Sequence, residues 1–344
     1  MGYTFTLPTR LSGQSFFDQD FLDIDRKKDM PDDTIAFVFP GQGSQKVGML
    51  AGAHEQFPAV RDTFAEASEA LGYDMWELIQ HGEQDALNLT ETTQPVLLTS
   101  SVALWRAWQA QSAVRPTIMA GHSLGEFSAL VCAGALGFTD AVQLVRQRGA
   151  FMQSAVPVGE GAMAAIIGLD DDAINTICAE VAGNAGGVVS AVNFNSPGQV
   201  VIAGHTAAVD AAIVALKEAG AKRAMPLPVS APFHTALMKP AGERLAEVIA
   251  TIEITSPQVP VVHNVHATTE TDPERIRSLL VEQIYSPVQW TRCIQAIVAG
   301  GASKVVECGP GKVLSGLNRR IDKSLQSYSL EEPDALTATA AELV

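Results

Sequence analysis

Positive charge is scarce in this chain. Its 344 residues carry 23 Lys and Arg against 38 Asp and Glu, a formal net charge of -15. Nucleic-acid binding needs clustered Lys and Arg to neutralise phosphates, so the composition argues against it. Any anion the protein holds must be met by individual basic side chains. Cysteine is sparse too. Cys132, Cys178, Cys293 and Cys308 are widely spaced in apolar surroundings. Without a C-x-x-C pair there is neither a zinc site nor a redox motif, and no metal is expected. Buried, reduced thiols are the reading. No apolar run reaches the roughly 18 residues of a membrane span. The N-terminus lacks the basic-then-apolar secretory pattern. The cytoplasm is therefore the expected location. What the chain does have is 47% hydrophobic and only 18% charged residues, the mark of a well-buried globular protein. Its length suits one large domain with an insertion, or two domains.

One stretch carries a chemical signature. Thr117–Ala120 is apolar, Gly121-His122-Ser123-Leu124-Gly125 follows, and an Ala/Leu-rich run continues to Ala135. This reads as strand, sharp turn and helix, the setting of a G-x-S-x-G nucleophile elbow. Glycines flank the serine because the turn leaves no room for side chains. The elbow lifts the Ser123 hydroxyl above the sheet. It also sets the Leu124 N–H at a helix N-terminus, where a developing oxyanion can be held. A chance Gly/Ser turn between a strand and a helix is the alternative reading of the pentapeptide alone.

Thr34–Phe39 is predicted as a strand, followed by the loop Pro40-Gly41-Gln42-Gly43-Ser44-Gln45. Loops at the carboxyl ends of parallel strands carry sites. The loop fails the dinucleotide fingerprint, since Lys46 stands where a glycine is required, and neither it nor Gly309-Pro310-Gly311-Lys312 has P-loop spacing. A plain tight turn remains open. Residues 47–112 read as mainly helical, the longest helix near Gln94–Gln111, with Trp105 and Trp108 on one core-facing side. A helix over Asp140–Ser154 contains Arg148, singled out because Gly149 permits close packing beside it.

The character changes over 159–228. Strand Ala162–Ile167, helix Asp170–Val181, strands Val188–Phe194 and Gln199–Ala203, helix Thr206–Glu218 and strand Lys222–Leu227 give the order β-α-β-β-α-β, the ferredoxin-like signature. The fold class is therefore α/β: a hydrolase-like large domain with a parallel sheet and an inserted ferredoxin-like subdomain. The predicted boundaries are an N-terminal extension at 1–31, the large domain at 32–158 and 229–325, the insertion at 159–228 and a C-terminal tail at 326–344.

A serine hydroxyl needs an adjacent base. Of seven histidines, His234 is the favourite: it sits on a stiff, Pro-rich segment after the insertion and follows Ser123 in chain order. His263 and His266, after a predicted strand (Val259–His263), remain possible. An α/β-hydrolase places an Asp or Glu between Ser and His. Here that interval is mostly the insertion, whose acids lie on its helices. A neutral acceptor orienting the imidazole is the expectation.

Seven ordered motifs together carry a resemblance: FVFPGQGSQ (37–45), GHSLGE (121–126), RQRGAFMQ (146–153), NFNSPGQVVIAG (193–204), PVSAPFH (228–234), SPVQW (286–290) and GPGKVL (309–314). Across Ile35–Arg320 the chain resembles the bacterial malonyl-CoA:acyl carrier protein transacylase family. The resemblance implies Ser123 as the malonyl-accepting nucleophile and His234 as base and acid. It implies an oxyanion hole of the Gln42 and Leu124 N–H groups, a main-chain carbonyl at Gln289 orienting the histidine, and Arg148 pairing with the malonyl carboxylate. Asn193 and Asn195 would face the cleft, with a structural role as the alternative. Phe233, in the space an α-methyl needs, would favour malonyl over methylmalonyl. The implied partners are malonyl-CoA and acyl carrier protein, with no cofactor of the enzyme's own. Carrier proteins are acidic, so Lys222, Arg223, Arg319 and Arg320 are candidates for a local docking patch. A serine thioesterase on the same elbow, or a non-catalytic carrier-binding subunit, are the competing readings.

Overall fold

Strict alternation in the first strand decides how the sheet is buried. In β1 (Thr34–Phe39), Ile35, Phe37 and Phe39 enter one apolar cluster, while Ala36 and Val38 enter another on the opposite face. A strand covered on both sides belongs inside a parallel sheet. The computed structural model describes residues 34–185, 187–229 and 231–343. The expected extension at 1–31 lies outside the described residues.

Among the described residues the parallel sheet has five strands, adding β2 (Ile118–Gly121), β7 (Val261–Val262), β8 (Ala302–Glu307) and β9 (Gln326–Ser329) in the order β7-β2-β1-β8-β9. On the first face lies the helix Thr90–Gln111, where Phe37 meets Trp105 and Trp108 edge to face at 5.3 and 5.2 Å. On the second face, Trp290, Ile294 and Ile297 of the helix Trp290–Ala299 are fully buried.

A second sheet runs β4-β5-β3-β6, all antiparallel, from β3 (Gly161–Ile167), β4 (Val189–Ser196), β5 (Gln199–His205) and β6 (Arg223–Pro226). The helices Asp171–Ala185 and Thr206–Glu218 pack on it over their own apolar cluster. The chain order β-α-β-β-α-β with this strand order is the ferredoxin-like arrangement. Backbone bonds tie its edge to the large sheet's side: Phe194 N–H donates to the Val288 carbonyl (3.0 Å) and Val288 N–H to that of Val192 (2.8 Å).

Two expectations need correction. The strand predicted over Val259–His263 is only Val261–Val262, because the prolines and turn around it leave two residues in register with β2. The predicted tail is not a tail. Residues 326–329 pair with β8 as the edge strand, and the helix Pro333–Glu342 buries Leu336 and Ala340 on the first face. Leu330 between them is also buried.

Candidate active site

Ser123 stands at the carboxyl end of β2, beside the loop that leaves β1. The turn is too tight for any side chain at its ends. A Cβ on Gly121 would lie 1.8 Å from the Gly125 carbonyl carbon, and one on Gly125 would lie 2.0 Å from the Phe39 carbonyl oxygen. Ser123 itself is held at φ 50, the left-handed region that costs an L-residue about 1–2 kcal/mol. Asn264, just past β7, holds the strained turn: its Oδ1 accepts the Ser123 N–H (2.7 Å) and its Nδ2 donates to the Gly121 carbonyl (2.7 Å). The Gly125 N–H donates to the His122 carbonyl. No acceptor for the Leu124 N–H is found among the described residues, so it is open at the helix start. The β1 loop presses on this turn, since a Cβ on Gly41 would lie 2.5 Å from the His122 carbonyl oxygen. Gln42 on that loop is exposed.

His234 is the second residue held in left-handed backbone, at φ 64, and it is almost fully buried. Its Nδ1 lies 2.8 Å from the Gln283 carbonyl oxygen and its Nε2 2.8 Å from Ser123 Oγ. A carbonyl only accepts, so Nδ1 carries the proton and Nε2 is free to accept from the serine hydroxyl. Burial, with the nearby Arg148 charge acting in the same direction, drives the imidazole pKa down to about 3. The ring is therefore neutral at ordinary pH, the form a base requires.

Arg148 is fully buried on the helix Phe138–Ser154. That helix approaches Thr90–Gln111 so closely that a Cβ on Gly149 would lie 2.5 Å from the Thr90 carbonyl oxygen. The guanidinium donates to Gln94 Oε1 and Gln283 Oε1, each at 2.7 Å, and at 3.4 Å to Ser123 Oγ. Both close partners are neutral amide oxygens, and among the described residues no carboxylate touches it and its buried Nε–H has no acceptor. Burial lowers its pKa to about 10, opposed by the charge of Glu126, so it stays cationic at neutral pH.

The carbonyl on His234 Nδ1 corrects one expectation: it belongs to Gln283, not Gln289. Gln289 caps the helix Trp290–Ala299, and its N–H donates to the Asn264 carbonyl. Gln283 ends the helix Pro273–Glu282 in a 3-10 turn, which aims its carbonyl sideways. Of the other histidines considered as the base, His263 is fully buried against Glu126 (2.7 Å), and His266 is exposed. His122 Nε2 donates to Asn195 Oδ1 at 2.8 Å, which occupies that amide oxygen structurally, while Asn193 Oδ1 is buried with no partner among the described residues. Phe233 is buried beside His234. Lys222, Arg223, Arg319 and Arg320 are exposed, with Arg320 bonded to Gln199.

Gln94, Glu126, Asn264 and Gln283 went unnoticed in the sequence. Glu126 stood inside the GHSLGE stretch, and Asn264 just beyond a predicted parallel strand, where site residues gather. Nothing local marks Gln94 or Gln283, which look like ordinary polar helix residues.

A serine oxygen, a neutral imidazole and an unpaired guanidinium meet where parallel strands end, an arrangement suited to passing acyl groups through an ester. Residues 36–335 match the acyl transferase domain family, and the chain is an acyltransferase. A malonyl CoA-acyl carrier protein transacylase of Salmonella typhimurium is 60% identical over 304 residues, 88% of this chain and 98% of the relative. The crystal structure of an acyl carrier protein S-malonyltransferase from Vibrio cholerae superposes with TM-score 0.87 at 56% identity, covering 89% and 99% of the two chains. A malonyl-transacylase in complex with its type II PKS acyl-carrier protein gives 0.88 at 54%, covering 90% and 99%. This chain belongs to the malonyl CoA-acyl carrier protein transacylase family.

Proposed function

We propose that the protein moves malonyl groups from malonyl-CoA to the phosphopantetheine thiol of acyl carrier protein, for fatty acid biosynthesis, by two transfers through Ser123. In the first, His234 Nε2 takes the Ser123 proton as Oγ attacks the thioester carbonyl carbon. The N–H groups of Leu124 and Gln42 receive the oxyanion. Collapse breaks the C–S bond, His234 returns the proton to the departing CoA sulfur, and malonyl remains as the Ser123 ester. In the second, the carrier thiol gives its proton to His234 and attacks the ester carbonyl. Ser123 then leaves and recovers the proton.

The observation that carries this reading is Arg148. A buried cation whose partners among the described residues are two neutral amides and the nucleophile's own hydroxyl, with a spare N–H, suits an acyl group ending in a carboxylate. A guanidinium fork can hold that carboxylate bidentately. A simple thioesterase has no need of such a clamp. Malonyl binding would also offset the Arg148 charge, which adds to burial in depressing His234, making the imidazole a better base when the correct acyl group is present. Phe233 would limit room for an α-methyl, Asn193 would offer its free amide oxygen to the substrate, and Lys222, Arg223, Arg319 and Arg320 would meet the acidic carrier. The cytoplasm is the proposed location; among the described residues no helix is long and apolar enough to cross a membrane.

Intact-mass measurement after incubation with malonyl-, methylmalonyl- and acetyl-CoA tests the proposal. Wild type should gain a malonyl adduct in preference to the others, and Ser123→Ala none. Absence of an adduct on wild type would overturn it.

A further inference from the structure

We infer that Glu126 is a positioning residue that, through the side chain of Gln283, aims Arg148 and sets the preference for an acyl group bearing a carboxylate. The inference rests on the roles of Ser123, His234 and Arg148 proposed above.

Glu126 lies in the first turn of the helix Gly125–Cys132, directly behind the elbow, and is fully buried. Every bond it makes is an acceptance. Oε1 takes the His263 Nδ1–H (2.7 Å), and Oε2 takes the Asn264 backbone N–H (3.0 Å) and the Gln283 Nε2–H (2.7 Å). Two arms leave this carboxylate toward the reacting atoms.

The first runs through Gln283. An amide can face a carboxylate only with its NH2 group. The second hydrogen of that group goes to the Ser123 carbonyl (3.1 Å), and the amide oxygen must then point the other way, onto the Arg148 guanidinium (2.7 Å). A flipped amide would set two donors against each other at Arg148. The same residue's main-chain carbonyl orients His234. Gln283 thus couples the specificity cation to the base, and Glu126 fixes which way it faces. The second arm runs through Asn264, whose backbone is held by Glu126 while its side chain grips both ends of the strained turn at Gly121 and Ser123.

A scaffold role alone would weaken transfer of all acyl groups alike. Positioning through Arg148 must weaken malonyl selectively, because acetyl does not use the guanidinium. The test compares malonyl and acetyl transfer, as kcat/KM from CoA thioesters to carrier protein, in wild type, Glu126→Gln, Gln283→Met and the double variant. Glu126→Gln keeps the shape and removes the charge. Gln283→Met removes the side-chain arm but keeps the main-chain carbonyl on His234. Charge-assisted hydrogen bonds of this kind correspond to rate factors of roughly ten to a hundred. The expected result is a malonyl-to-acetyl ratio at least about tenfold lower in each single variant, with little further fall in the double. A ratio within about twofold of wild type in Gln283→Met, or additive losses shared equally by both acyl groups, overturns the inference. Should Glu126→Gln fail to fold, the ratio in Gln283→Met decides alone. A wild type that transfers no malonyl overturns the proposed function and this inference together, whereas an unaltered ratio in the variants of an active wild type overturns only this one.

Discussion

Replacing Arg148 with alanine separates the two effects this guanidinium exerts. In the proposed complex the malonyl carboxylate is carried into a site from which water is excluded, and Arg148 is the only cation among the described residues within hydrogen-bond reach of Ser123. Truncating one partner of such a buried pair costs about 2–5 kcal/mol, or roughly 30- to 5,000-fold in kcat/KM for malonyl-CoA. Acetyl transfer should behave differently. Arg148 is the second-largest cause of the low His234 pKa, after burial, so its removal makes the imidazole more basic. Acetyl transfer should therefore hold or rise while malonyl transfer collapses. Folding is a separate cost, since Gln94 and Gln283 lose the donor between them; circular dichroism and Tm check that the variant is folded. Steady-state transfer to carrier protein with both thioesters gives the answer. Malonyl kcat/KM within threefold of wild type, in a folded variant, would refute the clamp.

Acid stability should report the buried imidazole. Its folded pKa is about 3, below the unfolded 6.5, so between these values the unfolded chain binds the extra proton. Stability is then lost as pH falls below 6.5, by about 1.4 kcal/mol per pH unit from this group. His234→Gln should show a flatter fall of Tm from pH 6.5 to 4.5 than wild type, and parallel curves would contradict the assigned burial. Removing residues 326–344 should abolish stable folding. Leu330, Leu336 and Leu343 are all buried, and at about 1.5–3 kcal/mol each they approach the 5–15 kcal/mol that holds an ordinary domain together. A truncated chain with unchanged Tm would show this segment to be dispensable.

Local sterics and periodicity were enough for much of this protein. The spacing of Gly121, Ser123 and Gly125 predicts the elbow because backbone atoms stand within 2.0 Å of where Cβ atoms would go, a constraint internal to one turn and its neighbouring strand. Strand Thr34–Phe39 and helix Thr206–Glu218 are readable to the residue, since alternation and turn chemistry mark them on both sides. The β-α-β-β-α-β order needs only the same signals in succession. Tertiary structure decided what depends on partners distant in the chain. Strand Gln326–Ser329 (QSYS) has no apolar pattern of its own, because as an edge it is defined by β8 rather than by burial on both faces. The carbonyl that orients His234 is 49 positions away, and no side-chain chemistry announces a carbonyl. Glu126 meets His263 at a separation of 137, and its carboxylate looks in sequence like any acid in a first helical turn. Sequence pointed to Ser123, His234 and Arg148, and the fold sets the imidazole and the guanidinium against the serine oxygen. The fold alone chose the amides and the buried acid between them, since their orientation is set by which donors and acceptors packing brings face to face.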